Sequence, residues 1–85
     1  MRILFHGPFE KMMGREVRLP PPATLSALIG ELARRNPAFS RYADLTTDEA
    51  LMAHVMFVRG GAPLTLSSPL GEDDEIDVFL PVVGG

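Results

Sequence analysis

The spacing of apolar positions changes several times along the chain, and each change marks an element. Arg2-Ile3-Leu4-Phe5-His6 is a short apolar and aromatic run, the pattern of a strand covered on both faces and therefore central in its sheet. Gly7-Pro8 breaks it, and Phe9, Met12 and Met13 then fall on one side of a single helical turn within residues 9 to 14, where they read as core. Glu16-Val17-Arg18-Leu19 alternates polar and apolar as a half-buried strand does, and Pro20-Pro21-Pro22 ends it. These two strands form a hairpin. Thr24 has the chemistry of an N-cap, and Leu25, Leu28, Ile29, Leu32 and Ala33 follow as one apolar stripe of an amphipathic helix that Asn36-Pro37 stops.

Residues 37 to 50 carry Phe39, Tyr42 and Leu45 as apolar anchors without a clear period, and Thr46-Thr47-Asp48-Glu49 reads as a polar turn or short helix start; the segment is expected to be mostly loop. Ala53 to Arg59 predicts a strand, Gly60-Gly61 a two-residue hairpin turn, and Leu64-Thr65-Leu66 the short return strand. After a turn at residues 67 to 71 and the acidic Glu72-Asp73-Asp74-Glu75, the run Ile76 to Leu80 predicts the final strand. Its alternation sends Ile76, Val78 and Leu80 to one face, Asp77 and Phe79 to the other. This order predicts an α+β fold, a mixed sheet of four to five strands with one main helix packed across one face. In such a β-grasp, the first and last strands lie side by side as parallel neighbours at the centre.

Length limits this picture to one domain. Eighty-five residues with 46% hydrophobic and 22% charged side chains suit a single sheet with one helix on it. The net charge of −3 is unevenly spread: residues 1 to 43 hold seven Lys/Arg against three Asp/Glu, and residues 44 to 85 hold one against eight. No basic stripe suits nucleic acid, and an acidic C-terminal half suits a basic partner surface. The longest apolar run, Val78 to Val83 interrupted by Pro81, is too short for a membrane span, so a cytoplasmic location is the expectation. The absence of cysteine removes disulfides, thiolate metal sites and sulfur chemistry on the chain's own side chains.

No catalytic constellation emerges from the rest. Neither GxGxxG nor GxxxxGK[ST] occurs, so no ATP site is expected. His6 and His54 are isolated rather than clustered as metal ligands, so no metal is expected. The carboxylates from Glu72 to Asp77 read as a solvated turn, with attraction of a partner as a secondary use.

The chemically distinctive stretch is Pro81-Val82-Val83-Gly84-Gly85, expected to be a flexible tail ending in a carboxylate. By position alone it is either a frayed end, a vector-derived scar or a functional group. A carboxylate becomes electrophilic only when its oxygen is made a leaving group, as by adenylation on an ATP-holding enzyme. Two glycines suit a narrow channel in such an enzyme, and five residues extend about 17 Å. Phe79, opposite the helix-covered face, is either an exposed interface anchor at the tail's root or is covered by the loop between 37 and 50.

The ending Asp74-Glu75-Ile76-Asp77-Val78-Phe79-Leu80-Pro81-Val82-Val83-Gly84-Gly85, preceded by Pro69-Leu70 and a turn, resembles the MoaD/ThiS family of ubiquitin-like sulfur carriers, especially its molybdopterin synthase small-subunit branch. The resemblance implies a ubiquitin-like β-grasp and a non-catalytic chain whose Gly85 is adenylated by a ubiquitin-activating-like enzyme using ATP. It further implies a sulfurtransferase as sulfur source, a thiocarboxylate on Gly85, and a molybdopterin synthase large subunit that receives the tail. Partner contacts are expected at Asp74, Glu75, Asp77 and Phe79. Where the family often carries asparagine-glycine after its third strand, this chain has Arg59-Gly60-Gly61. The same tail would serve thiazole, cysteine or transfer RNA thiolation, or a modifier joined to lysines through Gly85; a β-grasp interaction module with an incidental Gly-Gly end is the remaining alternative.

Overall fold

The computed structural model describes residues 1 to 81; the tail residues Val82, Val83, Gly84 and Gly85 lie outside the described residues. A five-stranded sheet is formed by β1 (Arg2–Phe5), β2 (Glu16–Arg18), β3 (Met56–Arg59), β4 (Ala62–Pro63) and β5 (Glu75–Phe79), in the order β2-β1-β5-β3-β4. The first and last strands are parallel neighbours, Ile3 opposite Ile76 and Phe5 opposite Val78, while the other pairs are antiparallel. The His6 N–H donates to the Val78 carbonyl at 2.9 Å and carries the central ladder one step beyond β1.

A short helix, α1 (Pro8–Met13), links the first two strands and buries Phe9. The main helix, α2 (Leu25–Arg35), starts where the Thr24 hydroxyl accepts from the Ala27 N–H at 3.3 Å, and it buries Leu25, Leu28, Ile29 and Leu32. These side chains meet Ile3, Phe5, Phe57, Ile76 and Val78 from the sheet in one core. Alternation along the strands therefore directs one face of the sheet to α2 and, among the described residues, leaves the other without a helix.

Residues 37 to 52 are not mostly loop. They form a 3-10 turn (Pro37–Phe39), α3 (Ser40–Ala43) and α4 (Asp48–Met52). Local side-chain caps start the 3-10 turn and α4: Asn36 Oδ1 accepts from the Ala38 N–H, and the Thr47 hydroxyl accepts from the Ala50 N–H. Phe39, Tyr42 and Leu51 are thereby buried against the edge of α2, with Phe39 stacked edge-on to Phe5, Phe9 and Phe57. Because each turn buries only one or two side chains, no continuous 3.6-residue period is available to read.

Three boundaries differ from expectation for related reasons. β3 begins at Met56 rather than Ala53, because the Ala53 and Val55 N–H groups complete the last turn of α4 by donating to Glu49 and Leu51. Gly60 and Gly61, at φ 59° and 81°, make the two-residue turn, but pairing resumes at once with Arg59 opposite Ala62, so the return strand is Ala62–Pro63 and Leu64 turns into the core. β5 ends at Phe79, and Leu80 leaves the helix-covered face to stand 49% exposed.

Candidate functional site

The site predicted from sequence is the end of β5 and the tail beyond it. β5 is the central strand, held on both sides by β1 and β3, so the chain reaches Pro81 from the most constrained part of the sheet. Two surfaces flank that root. On the open face of the sheet, Phe79 is half-buried, its ring centroid 6.5 Å from that of His6 in an edge-on arrangement, and it stands opposite Met56. Helices α3 and α4 pack on the other face, so the segment between 37 and 50 does not cover Phe79. Phe79 is therefore partly open on the sheet face.

Asp77 lies beside it on the same face, opposite Leu4 on one side and Val58 on the other, and accepts a hydrogen bond from His6 Nε2 at 2.8 Å. Half-buried Leu4, Met56, Val58 and Phe79 thus form an apolar stripe around one histidine–carboxylate pair.

Glu75 opens β5 and Asp74 just precedes it, about 13 Å and 17 Å from Phe79 at roughly 3.3 Å per residue. Their side chains are occupied within the fold. Asp74 Oδ2 accepts from the Gly71 N–H at 2.8 Å and from Arg59 Nη1 at 2.7 Å, and Arg59 Nη1 also reaches the Pro69 carbonyl at 2.8 Å. The Gly71 hydrogen bond first, then the bond and charge of Arg59, hold the Asp74 carboxyl below the usual carboxylate range despite partial burial. Glu75 pairs with Arg2. The structure therefore brings Asp77 and Phe79 together at the tail root and separates them from Asp74 and Glu75.

The second surface was not foreseen. On the helical side of the root, exposed Leu80 borders an open groove with Arg41, Tyr42 and Leu45 of the α3 region and His54 of the turn before β3. The signal was present in Arg41-Tyr42 and His54, but only the helical folding of residues 37 to 52 brings them beside Leu80. Among the described residues there is no cluster of three or more metal-ligating side chains and no helix long and apolar enough to cross a membrane.

A helix gripped by a mixed sheet, with a central last strand parallel to the first, defines the chain as a ubiquitin-like β-grasp protein. The sequence model of the ThiS family matches residues 3–85, and the chain belongs to that family. Among solved structures it is similar to a putative molybdopterin converting factor, subunit 1, from Pyrococcus furiosus (25% identity, 95% of each chain covered, TM-score 0.71). It is also similar to small archaeal modifier protein 1 from Methanosarcina acetivorans (19% identity, 99% of this chain and 94% of that one, TM-score 0.75) and from Haloferax volcanii (23%, 99% and 97%, TM-score 0.67). No curated protein matches it in sequence. The fold is thus the one shared by ThiS/MoaD-like carriers, generally non-catalytic, and by small archaeal modifiers.

Proposed function

We propose that the protein is a sulfur carrier whose Gly85 carboxylate is the transferred group. The observation that supports this most is that the family match runs through Gly84-Gly85 while β5 brings the chain to their root outside the core. A ubiquitin-activating-like enzyme binds ATP and the tail; a Gly85 carboxylate oxygen attacks the α-phosphorus, pyrophosphate leaves, and an acyl adenylate results. A persulfide on a sulfurtransferase then attacks the carbonyl carbon through its terminal sulfur and expels AMP. A second thiol reduces the acyl disulfide, which frees the thiocarboxylate and leaves a disulfide between the two partner sulfurs. With no cysteine in this chain, both thiols belong to partners. The chain itself holds no cofactor and performs no catalysis in this scheme, which belongs in the cytoplasm.

Val82, Val83 and Gly84 present Gly85 to the partner, and Pro81 stiffens the root by fixing its φ. Phe79 and Asp77 meet the partner on the open sheet face, and Asp74 and Glu75 contribute only to the negative field around their loop. The similarity to the Pyrococcus furiosus protein favours molybdopterin synthesis, with a synthase large subunit as receiver, over thiazole, cysteine or transfer RNA thiolation.

Incubation with the adenylating enzyme and ATP tests the first step. The expected result is pyrophosphate release dependent on this protein and absent for the chain lacking Gly85. Pyrophosphate release that is indifferent to Gly85 contradicts the reading. Gly-Gly adducts on lysines of other proteins would move it to a modifier.

A further inference from the structure

The groove beside Leu80 has a charge that the fold leaves uncompensated. The chain has seven arginines, and six of them lie within 4 Å of a carboxylate: Arg2, Arg15, Arg18, Arg34, Arg35 and Arg59. Arg41 alone has no carboxylate partner among the described residues. Its guanidinium stands at the groove 5.8 Å from the centre of the Tyr42 ring, within cation–π range, and that ring is itself packed among Phe9 and Phe39. His54 and Leu80, the only large hydrophobic side chain exposed among the described residues, line the same groove. An arginine without a carboxylate partner, set on a tyrosine and next to an exposed leucine, is the composition of an interface rather than of a solvated face.

We propose that this groove docks an acidic segment of the adenylating partner, an apolar side chain seated against Leu80 and Leu45 with a neighbouring carboxylate paired to Arg41. The inference rests on the reading that the tail is received by that partner. Leu80 directly precedes Pro81, so when the tail lies in the partner's channel the groove must face the partner's surface. The tail cannot fill the groove at that moment. Contact on the helical side of the root complements contact at Phe79 on the sheet side, and together they fix the direction in which the tail leaves the body.

ATP–pyrophosphate exchange by the adenylating enzyme of the same cell, with the intact protein as substrate, tests this. Arg41→Glu and Leu80→Ser are compared with Arg34→Glu, which makes the same charge change on the exposed side of α2. Arg41→Glu is expected to raise KM for the protein about five- to tenfold with kcat within about twofold, the pattern of lost uniform binding. It should also flatten the salt dependence of kcat/KM. Leu80→Ser should raise KM in the same way, and Arg34→Glu should behave as wild type. Melting curves confirm that each variant is folded.

Equal KM for Arg41→Glu and Arg34→Glu overturns the proposal. A lower KM for Arg41→Glu overturns it in favour of the protein's own tail parked in the groove. A self-associated wild type that Arg41→Glu makes monomeric in sedimentation overturns it in favour of a second copy. If wild type supports no exchange at all, the carrier reading fails and the inference with it, an outcome distinct from exchange that ignores Arg41.

Discussion

Asp74 shows how a residue's use depends on its neighbours. As part of an acidic run it reads as a solvated charge, yet its carboxylate closes the turn at Gly71 and anchors Arg59, which in turn holds the Pro69 carbonyl. Its pKa is depressed in the folded state, mainly by the Gly71 hydrogen bond and then by Arg59. A depressed carboxylate adds stability that is fully present above its unfolded pKa of about 3.9 and lost as pH falls through the lower folded value. Acid titration of stability should therefore be shallower for Asp74→Ala than for wild type below about pH 4, and at neutral pH the variant should lose about 1–3 kcal/mol in denaturant unfolding. Gly30 gives a prediction of the opposite sign. It sits in α2 at an ordinary helical φ, and a Cβ there would meet nothing within 4 Å. Gly30→Ala should raise stability by about 0.5–1 kcal/mol, read from the denaturation midpoint. Phe79 could be assigned to the open face from alternation, but Leu80 could not, because alternation is silent about where a strand stops.

Among elements, α2 was the most legible. Its cap, its stripe and its stop are all written within the fourteen residues from Thr24 to Pro37, and the structure reproduces each of them. Leu32 is fully buried in the core, so Leu32→Ala should cost about 2–5 kcal/mol. Measured as a melting shift, each kcal/mol is worth about 4–8 °C in a chain of this size. The segment from 37 to 52 was illegible for the converse reason. Its turns are shorter than two helical repeats, and they are set by Asn36 and Thr47 caps and by aromatic packing onto Phe5 and Phe9 that no local window contains. That segment also builds half of the groove beside Leu80, so the part of the site missed in sequence is the part that rests on tertiary packing.

At the scale of the molecule, the parallel pairing of first and last strands followed from element order alone, and it leads the chain end out of the centre of the sheet. This arrangement separates stability from chemistry. The core lies between α2 and the sheet, while Phe79, Leu80 and Pro81 stand at its margin. Deleting Gly84-Gly85 should abolish sulfur transfer and leave Tm within about 2 °C of wild type, since the core built by the described residues does not depend on them. A large drop in Tm would refute that division. The most direct test of the carrier reading is the intact mass of the protein purified from its native cell. The expected result is a fraction heavier by the exchange of one oxygen for sulfur, mapped to Gly85 and absent when the adenylating enzyme is deleted. A tail that stays an unmodified carboxylate in cells where that enzyme is active would contradict it.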